Sequence, residues 1–501
     1  MYSAAGVFLL LAAVVTFLIV RFQPIARQYV LSALRERYKS DAELGNLQIS
    51  LFPTVKATGE NLVLRFAGRR DMPPMIRISR FTVEARFIGF FRNPKRIRLL
   101  RLEGLQIHLP PRSTGGSHLS GNPKFPFVLE NVVADNMRLE TMPKDPDKDP
   151  LVFDLHQLRL HSVGIGQAMT FQAKLTNPKP PGLIDTQGTF GPWNADEPTD
   201  SPVAGRYTFR NADLSVFKGI SGILSSDGQY KGHLDTIEVT GTTDTPDFSL
   251  KVADHPMPLH TEFKATVDGT DGDTILHPVK ARLGQSEFEV SGAIDRGALE
   301  KHKTILLEAK TTTHAYIQDF LKLAVKSSKP PMTGGTGFDT KVKIPPGESD
   351  VVDRIELDGN FSLQGVKFTS EDVQQKIANL SHRAQGEPKN TDPNVAADFT
   401  GRFHLRRGSL SLPDLRFQVP GAHVALAGKY ALRSGELDFR GTAKVDATIS
   451  EMTTGVKHVL LKAVDPWFKR DGAGAVLPIN ITGTRGDPSF KLDIGRVIKR
   501  D

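Results

Sequence analysis

The 501-residue chain contains no cysteine. This absence excludes disulfide bonds, thiol catalysis, zinc–cysteine sites and iron–sulfur clusters. The sequence also lacks a phosphate-binding G-x-x-x-x-G-K-[ST] loop, an H-E-x-x-H zinc motif and a G-x-S-x-G nucleophile elbow. We therefore expect no catalytic residues and no cofactor, and an anchored hydrolase is disfavoured.

Two groups of side chains could suggest a metal site. Asp268, Asp271 and Asp273 lie within six residues, but no distal Glu completes a calcium-binding loop, so a hairpin tip explains them better. His156 and His161 lie five residues apart on a predicted strand. Two-residue alternation would place them on opposite faces. The sequence therefore predicts no metal site.

Long hydrophobic runs are also scarce, since only Ala4–Val20 is uncharged over seventeen residues. As a helix this run would extend about 25 Å, which is the short end of a membrane span. A cleaved signal peptide is the alternative, but no basic residues precede the run, and it exceeds a typical h-region. We therefore predict a membrane anchor. Positive charge follows the run, which taken literally places the body in the cytoplasm, so charge alone leaves the topology open.

The remainder of the chain shows the alternation of β-strands. Apolar residues recur at every second position and are separated by Gly, Pro, Asn and Asp, as in antiparallel strands joined by turns. Curling of so many short strands would turn their apolar sides into a trough that buries acyl chains, at about 0.8 kcal/mol per CH₂. A closed sandwich core is the alternative. The candidate groove residues are Leu62, Leu64, Phe81, Val83, Leu105, Ile107, Val424 and Leu426.

The net charge of +8 is concentrated in one segment. Residues Asn61–Arg112 contain twelve Lys or Arg against three acids, an excess of nine positive charges. Such a segment close behind an anchor suits a surface that faces anionic lipid head groups. The alternative, equally supported, is that these residues line the solvated side of a sheet. Nucleic-acid binding is not expected, because no known module carries the basic residues.

An internal similarity relates two distant segments. Val239–Phe248 and Ile481–Phe490 share the pattern T-G-T-x-x-x-P-x-F. Helix-like stretches at Asn211–Ser226 and Ser450–Lys469 precede them. A strand–turn–strand unit that carries a helix twice indicates duplication of a structural module. We therefore predict the same helix-plus-strand unit in both places.

Several stretches of the chain resemble the AsmA family of envelope proteins of diderm bacteria. The resemblance covers most of the chain but transfers no active site, because its motifs are patterns of turns and strands. The missing basic residues before the anchor depart from the family pattern. The stretches that carry the resemblance are Leu47–Pro53, Ile97–Pro110, Gly241–Phe248, Val267–Thr274, Pro420–Gly428 and Val476–Gly483.

The resemblance implies a mainly β fold: an N-terminal transmembrane helix, a long curved antiparallel sheet with an apolar groove, and a few short helices. It implies a single-pass inner-membrane protein with its body in the periplasm. The predicted segments are the anchor (1–23), an N-terminal AsmA-like region (24–205), a central repeat (206–330) and a C-terminal AsmA-like region (331–501).

The predicted function is non-enzymatic lipid binding or transfer that supports phospholipid transport or outer-membrane homeostasis. Phospholipid, the inner membrane and envelope proteins are the expected partners. The alternative is a structural or assembly factor of the envelope whose apolar sides bind protein partners instead of lipid.

Overall fold

Antiparallel β-strands make up most of the structure, as the two-residue alternation predicts. The computed structural model describes residues 28, 41–50, 54–65, 73–74, 76–86, 95–109, 127–141, 151–164, 167–192, 200–269, 272–295, 303–312, 314–347, 349–448, 450–452, 474–484 and 487–492. These residues form two compact units. The first contains the described residues up to Ala212, with those of Ser225–Val239 and Asp268–Asp271, and the second contains the others.

In the part of the first unit that the structure describes there are ten strands and most of an eleventh. They are β1 (Asp41–Glu43), β2 (Leu47–Ser50), β3 (Val55–Arg65), β4 (Ile76–Ala85), β5 (Lys95–Leu109), β6 (Phe127–Thr141), β7 (Leu151–Val163), β8 (Met169–Pro178), β9 (Pro181–Phe190), β10 (Pro202–Asp213) and β12 (Ile223–His233).

Strands β3 to β10 pair in chain order, and β1 and β2 both pair with β3. Strands β5 and β6 are parallel, whereas the sequence analysis predicted antiparallel pairing throughout. Parallel neighbours need a crossover connection of about a dozen residues or more, and the segment 110–126 between these strands is long enough.

One residue in each of the strands β3 to β7 interrupts the regular alternation of its strand. These residues form a line across the strands, which we call the crease. It consists of Asn61, Ser79, Gly104, Asn136 and His156, which lie at one register level of β3 to β7. Asn61, Gly104 and Asn136 have φ values of 52°, 63° and 53°, a left-handed conformation that Gly and Asn adopt most readily. At this line the alternation of every strand shifts by one residue.

The second unit contains a short strand and a long antiparallel series. Strands β14 to β25 pair in chain order, and β11 pairs with β13. They are β11 (Ile220–Ser221), most of β13 (Thr236–Leu250), β14 (Met257–Val267), β15 (Thr274–Leu283), β16 (Ser286–Asp295), β17 (Thr304–Thr311), β18 (Met332–Ile344), β19 (Glu356–Phe368), β20 (Ala397–Arg406), β21 (Ser409–Val419), β22 (Ala422–Ala431), β23 (Glu436–Val445), β24 (Ala475–Thr484) and β25 (Asp487–Leu492).

Three α-helices of the described residues interrupt this series: α1 (Ile317–Ala324), α2 (Val351–Arg354) and α3 (Glu371–Ala384). Acidic residues begin α3 and basic residues end it, which complements the helix dipole. Gly386, with φ 81°, follows its end. The side chain of Gln374 fixes α3 to the sheet, because its oxygen accepts from the backbone N–H of Phe368 and its amide donates to the carbonyl of Val395.

The predicted duplication is wrong in its first copy. No helix forms at Asn211–Ser226, where the structure has a single 3-10 turn (Leu214–Val216) between strands. Thr240–Phe248 lies within the single strand β13, but Thr482–Phe490 spans the hairpin of β24 and β25. Gly483 adopts φ 105° at that hairpin. The predicted helix at 450–469 lies mostly outside the described residues.

The predicted inner-membrane localisation is contradicted. Among the residues that the structure describes, no helix is both long and apolar enough to cross a bilayer. The run Ala4–Val20, on which the prediction rested, lies outside the described residues.

Candidate lipid-binding face

Six of the eight predicted groove residues lie on one side of β3 to β5. Leu62 pairs with Ile78, and Ile78 pairs with Leu105 in the next strand. In the same way Leu64, Ile76 and Ile107 form a second cross-strand row. Paired side chains in adjacent strands contact one another, so each row is a continuous apolar line.

Two further rows lie beyond the crease. Phe81 begins the first of them and Val83 begins the second, and both rows continue through β5, β6 and β7. Together the four rows define what we call the apolar face. The members of these two rows are Phe81, Leu102, Ala134 and Leu158, followed by Val83, Leu100, Val132 and Leu160.

The apolar face is buried along its centre and partly exposed around it. Leu105 and Met137 are only 7% and 8% exposed, whereas Phe81 and Ile107 pack on this cluster and remain half-buried. In the described parts of the chain, every helix with assigned bounds belongs to the second unit. Within the described residues of the first unit, no such helix packs on Phe81 and Ile107.

Sequence reasoning missed several members of this face. Ile76, Ile78, Met137 and Leu155 belong to the same cluster as the predicted residues. A signal for them exists, because apolar residues recur at positions i, i+2, i+5 and i+7 of each of the strands β4 to β7. A search for strict alternation stops at the crease and finds only half of each strand.

One margin of the apolar face carries positive charge. In β5, Arg96 and Arg98 precede Leu100 and Leu102 at two-residue spacing, so they share the same side, and both arginines are exposed. The Arg96 guanidinium lies 3.8 Å from the carboxylate of Glu130. Guanidinium groups at the edge of an apolar surface suit contact with a phosphate group.

Further across the same side, β9 to β12 carry hydroxyl groups. Thr186 continues the row of Ala134 and Leu158 and pairs with Tyr207. The Tyr207 hydroxyl shares a hydrogen bond of 3.1 Å with Ser226, and the Tyr230 hydroxyl one of 2.8 Å with Thr186. Burial raises the pKa of Tyr207 and of Tyr230, so both hydroxyls are neutral near neutral pH.

The remaining predicted groove residues, Val424 and Leu426, lie in the second unit, whereas the other six lie in the first. Val424 is 6% exposed, and both side chains belong to a cluster that includes Ala378 and Ala384 of α3. Here the apolar side of the sheet is a closed core. The sequence analysis did not anticipate α3, so it treated this position as open.

Comparison of the chain with protein-family models, curated proteins and solved structures gives no match. The AsmA resemblance therefore rests on the sequence stretches alone and stays a prediction.

The polar side of the first unit pairs its charges between strands. The Arg80 guanidinium lies 3.1 Å from Glu60, and the Lys56 ammonium lies 3.9 Å from Glu84. The Arg101 guanidinium lies 3.8 Å from a carboxylate of the adjacent strand β6. Acids of adjacent strands therefore offset part of the positive excess of residues 61–112, as expected for the solvated side of a sheet.

The candidate metal ligands have other partners. Contrary to prediction, His156 and His161 are both exposed on the polar side, because the bulge between Leu155 and Gln157 shifts the alternation. They bind Thr176 and Asn131 separately. Asp273 pairs with a lysine at 2.9 Å, and Asp271 lies outside the described residues. Within the described ranges no three potential ligands converge.

Proposed function

We propose that the chain is a non-enzymatic lipid-binding or lipid-transfer protein and that the apolar face holds acyl chains of a phospholipid. The observation that carries this proposal is the set of four uninterrupted cross-strand rows with half-buried Phe81 and Ile107. A contiguous apolar surface that is partly exposed favours an interaction site.

The dimensions of the face support an acyl chain as the occupant. Adjacent strands lie about 4.8 Å apart, and one leaflet of a bilayer is about 15 Å deep, so a chain extends over roughly three strand spacings. The rows cross five strands. A sixteen-carbon chain that became fully buried there would gain up to about 13 kcal/mol.

The margins of the face support an amphiphile over a purely apolar partner. Arg96 and Arg98 offer positive charge on the same side as Leu100 and Leu102. Neutral hydroxyls of Tyr207 and Tyr230 lie further across the same side. A phospholipid matches the arginine margin, because its anionic phosphate lies close to its acyl chains.

The test compares two neighbouring residues of β5 that face opposite sides. Ile107→Asp places a carboxylate on the apolar face, whereas Gln106→Asp places it on the exposed polar side. We expect the purified wild type and Gln106→Asp to carry phospholipid by mass spectrometry, and Ile107→Asp to lose it, because an unpaired carboxylate beside an acyl chain is costly.

Thermal melting of each variant separates loss of binding from loss of folding. Lost lipid with a retained melt supports the acyl-chain site. A lipid-free wild type that also fails to take up phospholipid from vesicles contradicts it and favours the alternative, a structural or assembly factor that binds protein partners.

A further inference from the structure

The polar side of strands β20 to β23, in the second unit, contains a cleft of about 450 Å³. Its polar lining includes Arg416, Gln418, His423, Thr442 and Lys444. These residues are exposed and lie opposite the closed core formed with α3. The cleft is therefore a separate feature from the apolar face of the first unit.

Two basic side chains face each other across this cleft. His423 of β22 pairs directly with Lys444 of β23, and Gln418 pairs with His423 from the other side. Arg416 lies two residues from Gln418 and thus on the same side. Paired residues of adjacent strands lie close together, so one ligand group can contact both side chains.

Some basic residues on the polar side of this unit pair with acids of other strands. Lys310 lies 3.3 Å from Glu289, and Arg406 lies 3.7 Å from Glu356. Among the described residues, no carboxylate comes within 4.0 Å of the Lys444 ammonium. The Lys444 ammonium is therefore available to an anionic ligand.

The other charged groups at the cleft leave its centre basic. The Arg416 Nε lies 3.3 Å from Asp414, so part of its guanidinium remains available to a ligand. The one carboxylate that lines the cleft, Asp398, accepts the backbone N–H of Gly365 at 2.8 Å. It also lies two strands away from His423.

We propose that this cleft binds a small polar ligand through a phosphate group, held by Lys444, His423 and Arg416. Ala425 pairs with both Arg416 and Thr442, and its short side chain leaves room for the phosphate between longer donors. The volume lies within the range of small-molecule pockets, about 300–1,000 Å³. Seven of the eleven lining residues have polar side chains, so the rest of the ligand carries hydroxyl groups.

The experiment is calorimetric titration of the full chain with glycerol 3-phosphate and with inorganic phosphate, and separately with vesicles that contain phosphatidic acid. We expect one saturable site and about tenfold weaker binding in Lys444→Gln and in His423→Gln, since each charge-assisted hydrogen bond is worth roughly one order of magnitude. Lys310→Gln, which removes a paired lysine of the same unit, serves as the matched control.

The two phosphate sources give distinguishable results. Binding of the soluble ester identifies a small metabolite-like ligand, whereas binding of vesicles alone identifies a lipid head group; either supports the site if Lys444→Gln weakens it and Lys310→Gln does not. Absence of binding to every probe overturns the proposal, and so does equal weakening by Lys310→Gln, which would indicate non-specific charge.

Discussion

The two units build their strands from the same alternating pattern but cover the apolar sides differently. In the first unit the rows that contain Phe81 and Ile107 stay half-buried. In the second unit α1 brings Leu323 against Met257 and Leu283, and α3 brings Ala378 against a larger cluster. An apolar row therefore indicates a binding surface only where no other element of the chain packs on it.

The difference originates in what connects the strands. In the second unit α1 follows β17 and α3 follows β19, and each helix packs its apolar residues against the sheet. Phe320 of α1 packs edge-on to Phe338 with ring centroids 5.2 Å apart. In the first unit the described connections contain no comparable helix. The comparison yields three predictions, and the first has the largest expected effect.

Val424→Asp should destabilise the protein far more than Ile107→Asp. Val424 is 6% exposed beneath α3, so a carboxylate there is buried without a partner and costs more than about 4 kcal/mol. Ile107 is half-buried, and its carboxylate can reach water. Chemical denaturation of each variant measures the loss in the free energy of unfolding. Hydrogen exchange shows which unit loses stability.

Ala427→Asp is the matched control for Val424→Asp, because Ala427 lies on the exposed side of the same strand. We expect a loss within about 0.5 kcal/mol there. Equal losses for Val424→Asp and Ile107→Asp would mean that both apolar sides are equally closed, and the comparison would fail.

An intermediate effect is expected where α1 is fastened to its sheet. Asp319 is 6% exposed, and its Oδ2 accepts from the Ser286 hydroxyl at 2.8 Å and from the Gln285 backbone N–H at 3.0 Å. Asp319→Ala leaves these donors unsatisfied and should cost about 1–3 kcal/mol.

Hydrogen exchange gives the specific signature of Asp319→Ala. The amide of Gln285 should exchange faster, whereas amides of β21, which α1 does not contact, should keep their protection. Unchanged exchange at Gln285 would show that the carboxylate does not hold α1.

The smallest effect compares two glycines of similar conformation, one in each unit. Gly104 and Gly365 have φ values of 63° and 60°. A Cβ at Gly104 would lie 2.5 Å from the Ser79 Oγ, but a Cβ at Gly365 would meet nothing within 4 Å. Gly365→Ala should cost about 1–2 kcal/mol for its conformation alone, and Gly104→Ala should cost about 1 kcal/mol more.

Urea denaturation of both variants checks this difference. Adding Ser79→Gly to Gly104→Ala should recover the extra loss, because the hydroxymethyl group that crowds the new Cβ is then gone. Failure of that recovery would show that the crease does not depend on the contact between β4 and β5.

Much of the fold could be predicted from the sequence, since alternation at Leu62, Phe81 and Leu105 gave the strands and the shared side. Alternation is a local property, so it could not show that β5 and β6 run parallel or that α3 lies over Val424. The T-G-T pattern failed because Gly241 within β13 and Gly483 at a hairpin satisfy the same local preference in different contexts.

The crease has a consequence for how the strands of the first unit find their alignment. A sheet of repeated Leu and Ile positions tolerates slippage by two residues, because each apolar side chain then replaces another on the same side. Slippage of β5 against β4 would carry Gly104 away from Ser79 and bring the bulkier Leu102 or Gln106 to the level of the irregular line. Asn61, Gly104 and Asn136 thus favour one register of their strands among the several that hydrophobic contact alone would allow.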